Sequence, residues 1–61
     1  MEESDARNRL SYATSSIEKI LINHWLALRS LKKNYGYKCD EEINITEQAI
    51  KEFDRLQDEK D

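Results

Sequence analysis

Apolar positions recur along the first half of the chain at Leu10, Ile17, Leu21, His24, Leu28, Leu31 and Tyr35, in steps of seven, four, three, four, three and four. That spacing places them on one stripe of an α-helix, with a heptad-like seam interrupted at Thr14 and occupied once by the polar His24. Ala13, Ile20, Trp25 and Ala27 flank the stripe and widen it. The pattern predicts one long helix over about residues 5–35. Ser4 or Asp5 can cap its start, and the acids near residue 5 favour the positive end of the helix dipole. Ser11, Ser15 and Ser16 are weak helix formers, so fraying is expected in the first turns.

Arg29, Lys32 and Lys33 lie where a helix C-terminus favours cations, and Gly36 follows them. Glycine there can take the left-handed conformation that closes a helix, with Tyr37 folding back onto the last turn. Residues 37–45 read as a connection, in which Ile43 and Ile45 alternate with polar neighbours. Thr46 then reads as an N-cap, with Ile45 before it and Ile50 at the fourth helical position forming a hydrophobic staple. The second helix is predicted over about 47–59, with Ala49, Ile50, Phe53 and Leu56 on its apolar face. The residues from Gln57 to Asp61 are polar, and fraying is expected there too.

The expected fold class is therefore all-α. It is a helical hairpin, with a long helix over about 5–35, a turn at Gly36 and a second helix over about 47–59. Residues 1–61 form a single domain with a few frayed residues at each end. The sequence has no proline and one glycine, which suits two helices joined once and not a turn-rich β fold.

Length sharpens this picture. A 61-residue chain buries only about 60% of its unfolded surface, so a lone core is marginal. One cysteine, Cys39, cannot make an internal disulfide, and a single cysteine with a single histidine weighs against a structural zinc site. Oligomerisation remains, and pairing of two hairpins into a dimeric four-helix bundle is the expectation. Charge is unevenly spread: residues 1–38 hold seven Lys/Arg and four Asp/Glu, a balance of +3, and residues 39–61 hold three and nine, a balance of −6. The second helix should thus be drawn onto the first, of its own chain or of a neighbour.

The segment from Ile20 to Leu28 carries more apolar residues than one seam uses. Ile22 and Leu26 lie four apart on a different face from Leu21 and Leu28, and a helix apolar nearly all round is normally covered on all sides. Leu21, Ile22, Trp25, Leu26 and Leu28 are accordingly the candidate protein interface, for a second copy or for a different protein. Tryptophan is among the residue types that carry interface energy. His24 in the seam is expected to set register, and two paired histidines would make association sensitive to acid.

Little else suggests chemistry. The run Asp40-Glu41-Glu42 lacks the alternation and glycine of a calcium loop. No nucleophile has a base nearby in sequence, so neither catalytic residues nor cofactors are expected and the chain is read as non-enzymatic. Arg29, Lys32, Lys33 and Lys38 form a candidate basic contact patch. A net charge of −3 weighs against nucleic acid as its partner. No apolar run approaches a membrane span of about 18 residues. The acidic start Met1-Glu2-Glu3-Ser4-Asp5 is unlike a signal peptide, which leaves a cytoplasmic location as the expectation.

Two stretches carry resemblances. Glu42-Ile43-Asn44-Ile45-Thr46-Glu47-Gln48-Ala49-Ile50 looks like a strand followed by a helix and so resembles ribbon–helix–helix DNA-binding proteins, which need a further helix after it. Residues 17–56, two helices about a glycine-containing turn, resemble the helical-hairpin phosphatases of response regulators in sporulation signalling. That family carries Ser-Gln-Glu-Leu-Asp on its second helix. The corresponding residues here are Thr46-Glu47-Gln48-Ala49-Ile50, with isoleucine at the place of the aspartate, so the resemblance implies partner binding more than phosphatase activity. The leading expectation is a small non-enzymatic protein–protein interaction protein, a regulator, inhibitor or adaptor. A phosphatase-like regulator and a nucleic-acid-binding regulator are the alternatives.

Overall fold

The computed structural model describes residues 1–59 and is all-helical, with three helices: α1 (Glu3–Tyr12), α2 (Ser16–Tyr35) and α3 (Asp40–Glu59). The single helix expected over 5–35 is broken in two. Ser11 turns its hydroxyl to the Asn8 carbonyl at 2.6 Å, and the Ala13 N–H bonds the Leu10 carbonyl at 3.3 Å, a tightened last turn. Ala13 and Ser15 are extended, with ψ of 129° and 132°. Serine and threonine offer the backbone local alternatives to helix, so the weak helix formers end a helix here instead of merely fraying it. The residue preceding α1 is Glu2, without a side-chain cap bond, and Ser4 and Asp5 lie inside the helix.

The break lets α1 fold back along α2. Ala6 becomes fully buried, Leu10 packs beside it, and Arg9 reaches Glu18 near the start of α2. A small residue at position 6 is what close helix approach requires.

Gly36 behaves as its sequence suggests. Its φ is 69°, its N–H bonds the Lys32 carbonyl at 3.1 Å, and the Tyr37 N–H bonds the Leu31 carbonyl at 3.4 Å. These paired bonds satisfy carbonyls that the ending helix leaves free. The connection is shorter than expected, because α3 begins at Asp40 and not at 47. Asp40, Glu41 and Glu42 fill its first turn, where the dipole favours acids. Thr46 is therefore not a cap. It lies mid-helix, buried, with its hydroxyl donating to the Glu42 carbonyl at 2.8 Å. The staple of Ile45 with Ile50 does not form: Ile50 is buried and Ile45 exposed. Residues 42–45 are helical, so the strand of the ribbon–helix–helix resemblance is absent. Gln57–Glu59 continue α3. Lys60 and Asp61, where fraying was also expected, lie outside the described residues.

Helices α2 and α3 run antiparallel. Lys32 pairs with Asp40, Cys39 lies beside Leu28, and Trp25 reaches Glu47. The core is Ile22 and Trp25 of α2, Ala6 of α1, and Cys39, Ile43 and Ile50, with Leu10, Leu21, Leu26 and Leu28 packed around it. Among the described residues no helix is long and apolar enough to cross a membrane.

Candidate functional site: the apolar face of α2 and α3

The five interface residues expected from the sequence separate into two groups. Ile22 and Trp25 have no exposed surface. They are the centre of the core, covered by α1 and α3, and are not available to a partner. This corrects the expectation that they form an uncovered patch: the α1 segment, read in sequence as more of the same helix, returns to cover them. Leu21, Leu26 and Leu28 are half-buried at the margins of the core.

Apolar surface left uncovered lies elsewhere. Ile17, Ile20, Leu31 and Tyr35 of α2 are exposed, as are Ile45 and Leu56 of α3. Residues of an α-helix turn by about 100° each, which sets Ile17, Ile20, His24, Leu31 and Tyr35 on one narrow arc of α2. Ile45, Ala49, Phe53 and Leu56 fall on one arc of α3 in the same way. On α2, Glu18 and Arg29 turn toward α1, meeting Arg9 and lining a hollow with Glu3. On α3, Asp54 does so, receiving the Arg9 guanidinium. In both helices the exposed arc lies on the other side of the line joining α2 and α3. The two arcs therefore open on one face, opposite α1. Leu21 and Leu28 border this face, and His24 sits within it, exposed.

The opposite face is held together by charge. Arg9 donates from Nε to Glu18 at 2.6 Å and from Nη1 to Asp54 at 3.0 Å, and its Nη2 bonds the other oxygen of Asp54. One guanidinium thus ties all three helices, and the hydrogen bonds to Asp54 raise its pKa further above the usual arginine range. Trp25 donates its indole N–H to Glu47 at 3.0 Å and carries the Arg29 guanidinium 5.4 Å from its ring centre.

The candidate basic patch is partly spent on these structural contacts. Arg29 covers Trp25, and Lys32 pairs with Asp40. Lys33 and Lys38 are exposed. Arg29, Lys32 and Lys33 share their hollow with the Glu3 carboxylate, and Lys38 is not part of it. Cys39 is free and buried, its thiol donating to the Leu28 carbonyl at 3.3 Å. At the position where the phosphatase motif has its aspartate, Ile50 points into the core. Among the described residues no group of three or more His, Cys, Asp or Glu could hold a metal ion.

No family model matches the chain, and no curated protein or solved structure shows significant similarity to it.

Proposed function

We propose that the chain is a non-enzymatic protein–protein interaction protein, a cytoplasmic regulator, inhibitor or adaptor, that presents the apolar face of α2 and α3 to other chains, its own copies included. The observation that carries this reading is the exposure of Ile17, Ile20, Leu31, Tyr35, Ile45 and Leu56 on the side away from α1. The core of Ile22, Trp25, Ile43 and Ile50 closes without them, so folding of one chain does not account for their hydrophobicity. Small soluble proteins seldom expose contiguous apolar patches of this kind unless something docks there. The dimeric four-helix bundle of the sequence reading, redrawn on this fold, has α2 and α3 of each chain inside and α1 outside.

The test compares tagged wild-type chain with Ile20→Asp and Leu56→Asp variants as baits in lysate of the cells that make it. Specific proteins retained by wild type and lost with both variants, at unchanged helicity, are the expected result. Identical retention by all three baits would mean that the working surface lies elsewhere.

A further inference from the structure

We infer that α1 is a displaceable strap and that the chain exchanges between two helical forms. In the closed form α1 lies over Ile22 and Trp25. In the open form Ala13-Thr14-Ser15 turns helical, α1 and α2 run as one helix over residues 3–35, and both core residues are uncovered.

The break leaves backbone groups unmet that a straight helix would pair. Among the described residues, the N–H groups of Thr14, Ser15, Ser16, Ile17 and Glu18 have no backbone acceptor, and Ser15, at the N-cap of α2, makes no side-chain cap bond. Such groups at a helix start turn to water. In a continuous helix each would donate to the carbonyl four residues earlier, from Leu10 to Thr14. No proline or glycine precedes Gly36 to prevent this. The φ angles of Ala13 and Ser15, −61° and −83°, are already helical, and only ψ, at 129° and 132°, lies outside the helical region. At these two residues straightening is a rotation about ψ alone.

Tertiary contacts of α1 oppose it. Ala6 is fully buried, Leu10 packs on the core, and Arg9 bonds Glu18 and Asp54. That is a small set of interactions. The Arg9 side chain is 28% accessible, so water competes for its bonds. Local backbone bonds on one side are thus set against the packing of one short helix on the other, which makes the hinge a two-state element. Opening also changes the surface that the chain presents. Leu10 and Ile17 lie two turns apart on a continuous helix, so the apolar stripe of α2 lengthens to Leu10 while Ile22 and Trp25 come into reach.

The experiment uses the full chain and its one tryptophan, which lies beneath α1. Ser16→Pro should hold the closed form. Ser16 is the first residue of α2, where proline is favoured, and Ser15 before it is already extended, as a residue preceding proline must be. In the straight helix the same proline would clash, lowering the open fraction a hundredfold or more. Thr14→Ala with Ser15→Ala should raise the open fraction about fivefold, because alanine is the better helix former and Ser15 has no cap bond to lose. Both changes are also made in the Arg9→Met chain, where α1 is held less firmly.

The double-alanine chain should show more acrylamide quenching of Trp25, higher helicity by circular dichroism and newly protected amides at Thr14–Glu18. Ser16→Pro should quench less than its parent. Spin labels at Ser4→Cys and Ser30→Cys, in a Cys39→Ser background of unchanged helicity, should show a second distance of about 40 Å that grows with the alanines and disappears with the proline. Equal quenching in parent, alanine and proline chains, in both backgrounds, overturns the inference. Greater quenching accompanied by lower helicity overturns it too, since α1 would then be unfolding and not straightening.

Discussion

The Trp25 indole N–H donates to the Glu47 carboxylate at 3.0 Å, joining the middle of α2 to the middle of α3 at the point where the tryptophan ring is wholly buried. The contact gives the largest core side chain a fixed orientation, because a buried indole needs an acceptor and Glu47 supplies it from the margin of the core. Trp25→Ala is expected to lose about 3–5 kcal/mol, enough to unfold a marginal small domain. Trp25→Phe keeps most of the ring and removes the bond, at a cost of about 1–2 kcal/mol. Urea denaturation followed by circular dichroism orders the three chains.

Ile20 and Ile22 are two residues apart and have opposite fates. Ile22 is fully buried and Ile20 is 67% exposed. Ile22→Ala should cost about 2–5 kcal/mol through the cavity it leaves. Ile20→Ala should fall within about 0.5 kcal/mol of wild type in the monomer, measured at concentrations low enough to exclude association. Similar losses for both would show that α2 is rotated from the described packing.

Arg9 holds α1 to both other helices. Arg9→Met keeps the stem and removes the forked donor, which should destabilise the chain by about 1–2 kcal/mol. The loss should concentrate in α1, because Glu18 and Asp54 can return to solvent. Amide hydrogen exchange is the measurement: protection should fall over Glu3–Tyr12 far more than over α3. A uniform fall would mean that α1 does not move as a separate unit.

Gly36 has a φ of 69° and no neighbouring atom within 4 Å of where a Cβ would stand. Space is therefore free and only conformation resists substitution. Gly36→Ala should cost about 1–2 kcal/mol, the penalty of the left-handed region for a residue with a Cβ. Gly36→Asn should cost less, since asparagine tolerates that region. Thermal midpoints of the two variants test the order.

The surface pair of Glu52 and Arg55 gives a small pH signature. The Arg55 hydrogen bond holds the Glu52 carboxylate below its ordinary pKa. A group lowered in the folded state stabilises above its unfolded pKa, and that contribution is lost as pH falls through the folded value. Stability at neutral pH should drop slightly in Glu52→Gln, and the difference from wild type should vanish at strong acidity. Denaturation midpoints across the acid limb show it. A difference that grows with acidity would contradict the pairing.

Much of the helical content was legible in the residues. The recurrence of Leu21, Leu28 and Leu31, the cations before Gly36 and the apolar positions of Ala49, Ile50 and Phe53 all mark helix, because helical periodicity and end chemistry are local properties. The start of α3 was displaced in the sequence reading by Thr46, a residue type that caps helices often. Asp40-Glu41-Glu42 carried the true signal of a first turn. The interface residues were the least legible. Trp25 and Ile22 have the composition of an interface anchor and of a core centre alike, and only their cover distinguishes the two.

That cover depends on Ala13-Thr14-Ser15. By themselves the residues determined an all-helical chain, a left-handed close at Gly36 and more apolar surface on α2 than a single partner helix could cover. Tertiary structure decided which of that surface is core. A break of three residues is too weak a local signal to be told from fraying, since serine and threonine lower helix propensity by only a few tenths of a kcal/mol. Burial of Ala6 and Leu10, with Arg9 seated between Glu18 and Asp54, exists only once α1 has turned back, and it is this long-range packing that selects the break. The same turn hides Ile22 and Trp25 and leaves Ile17, Ile20 and Leu31 facing outward.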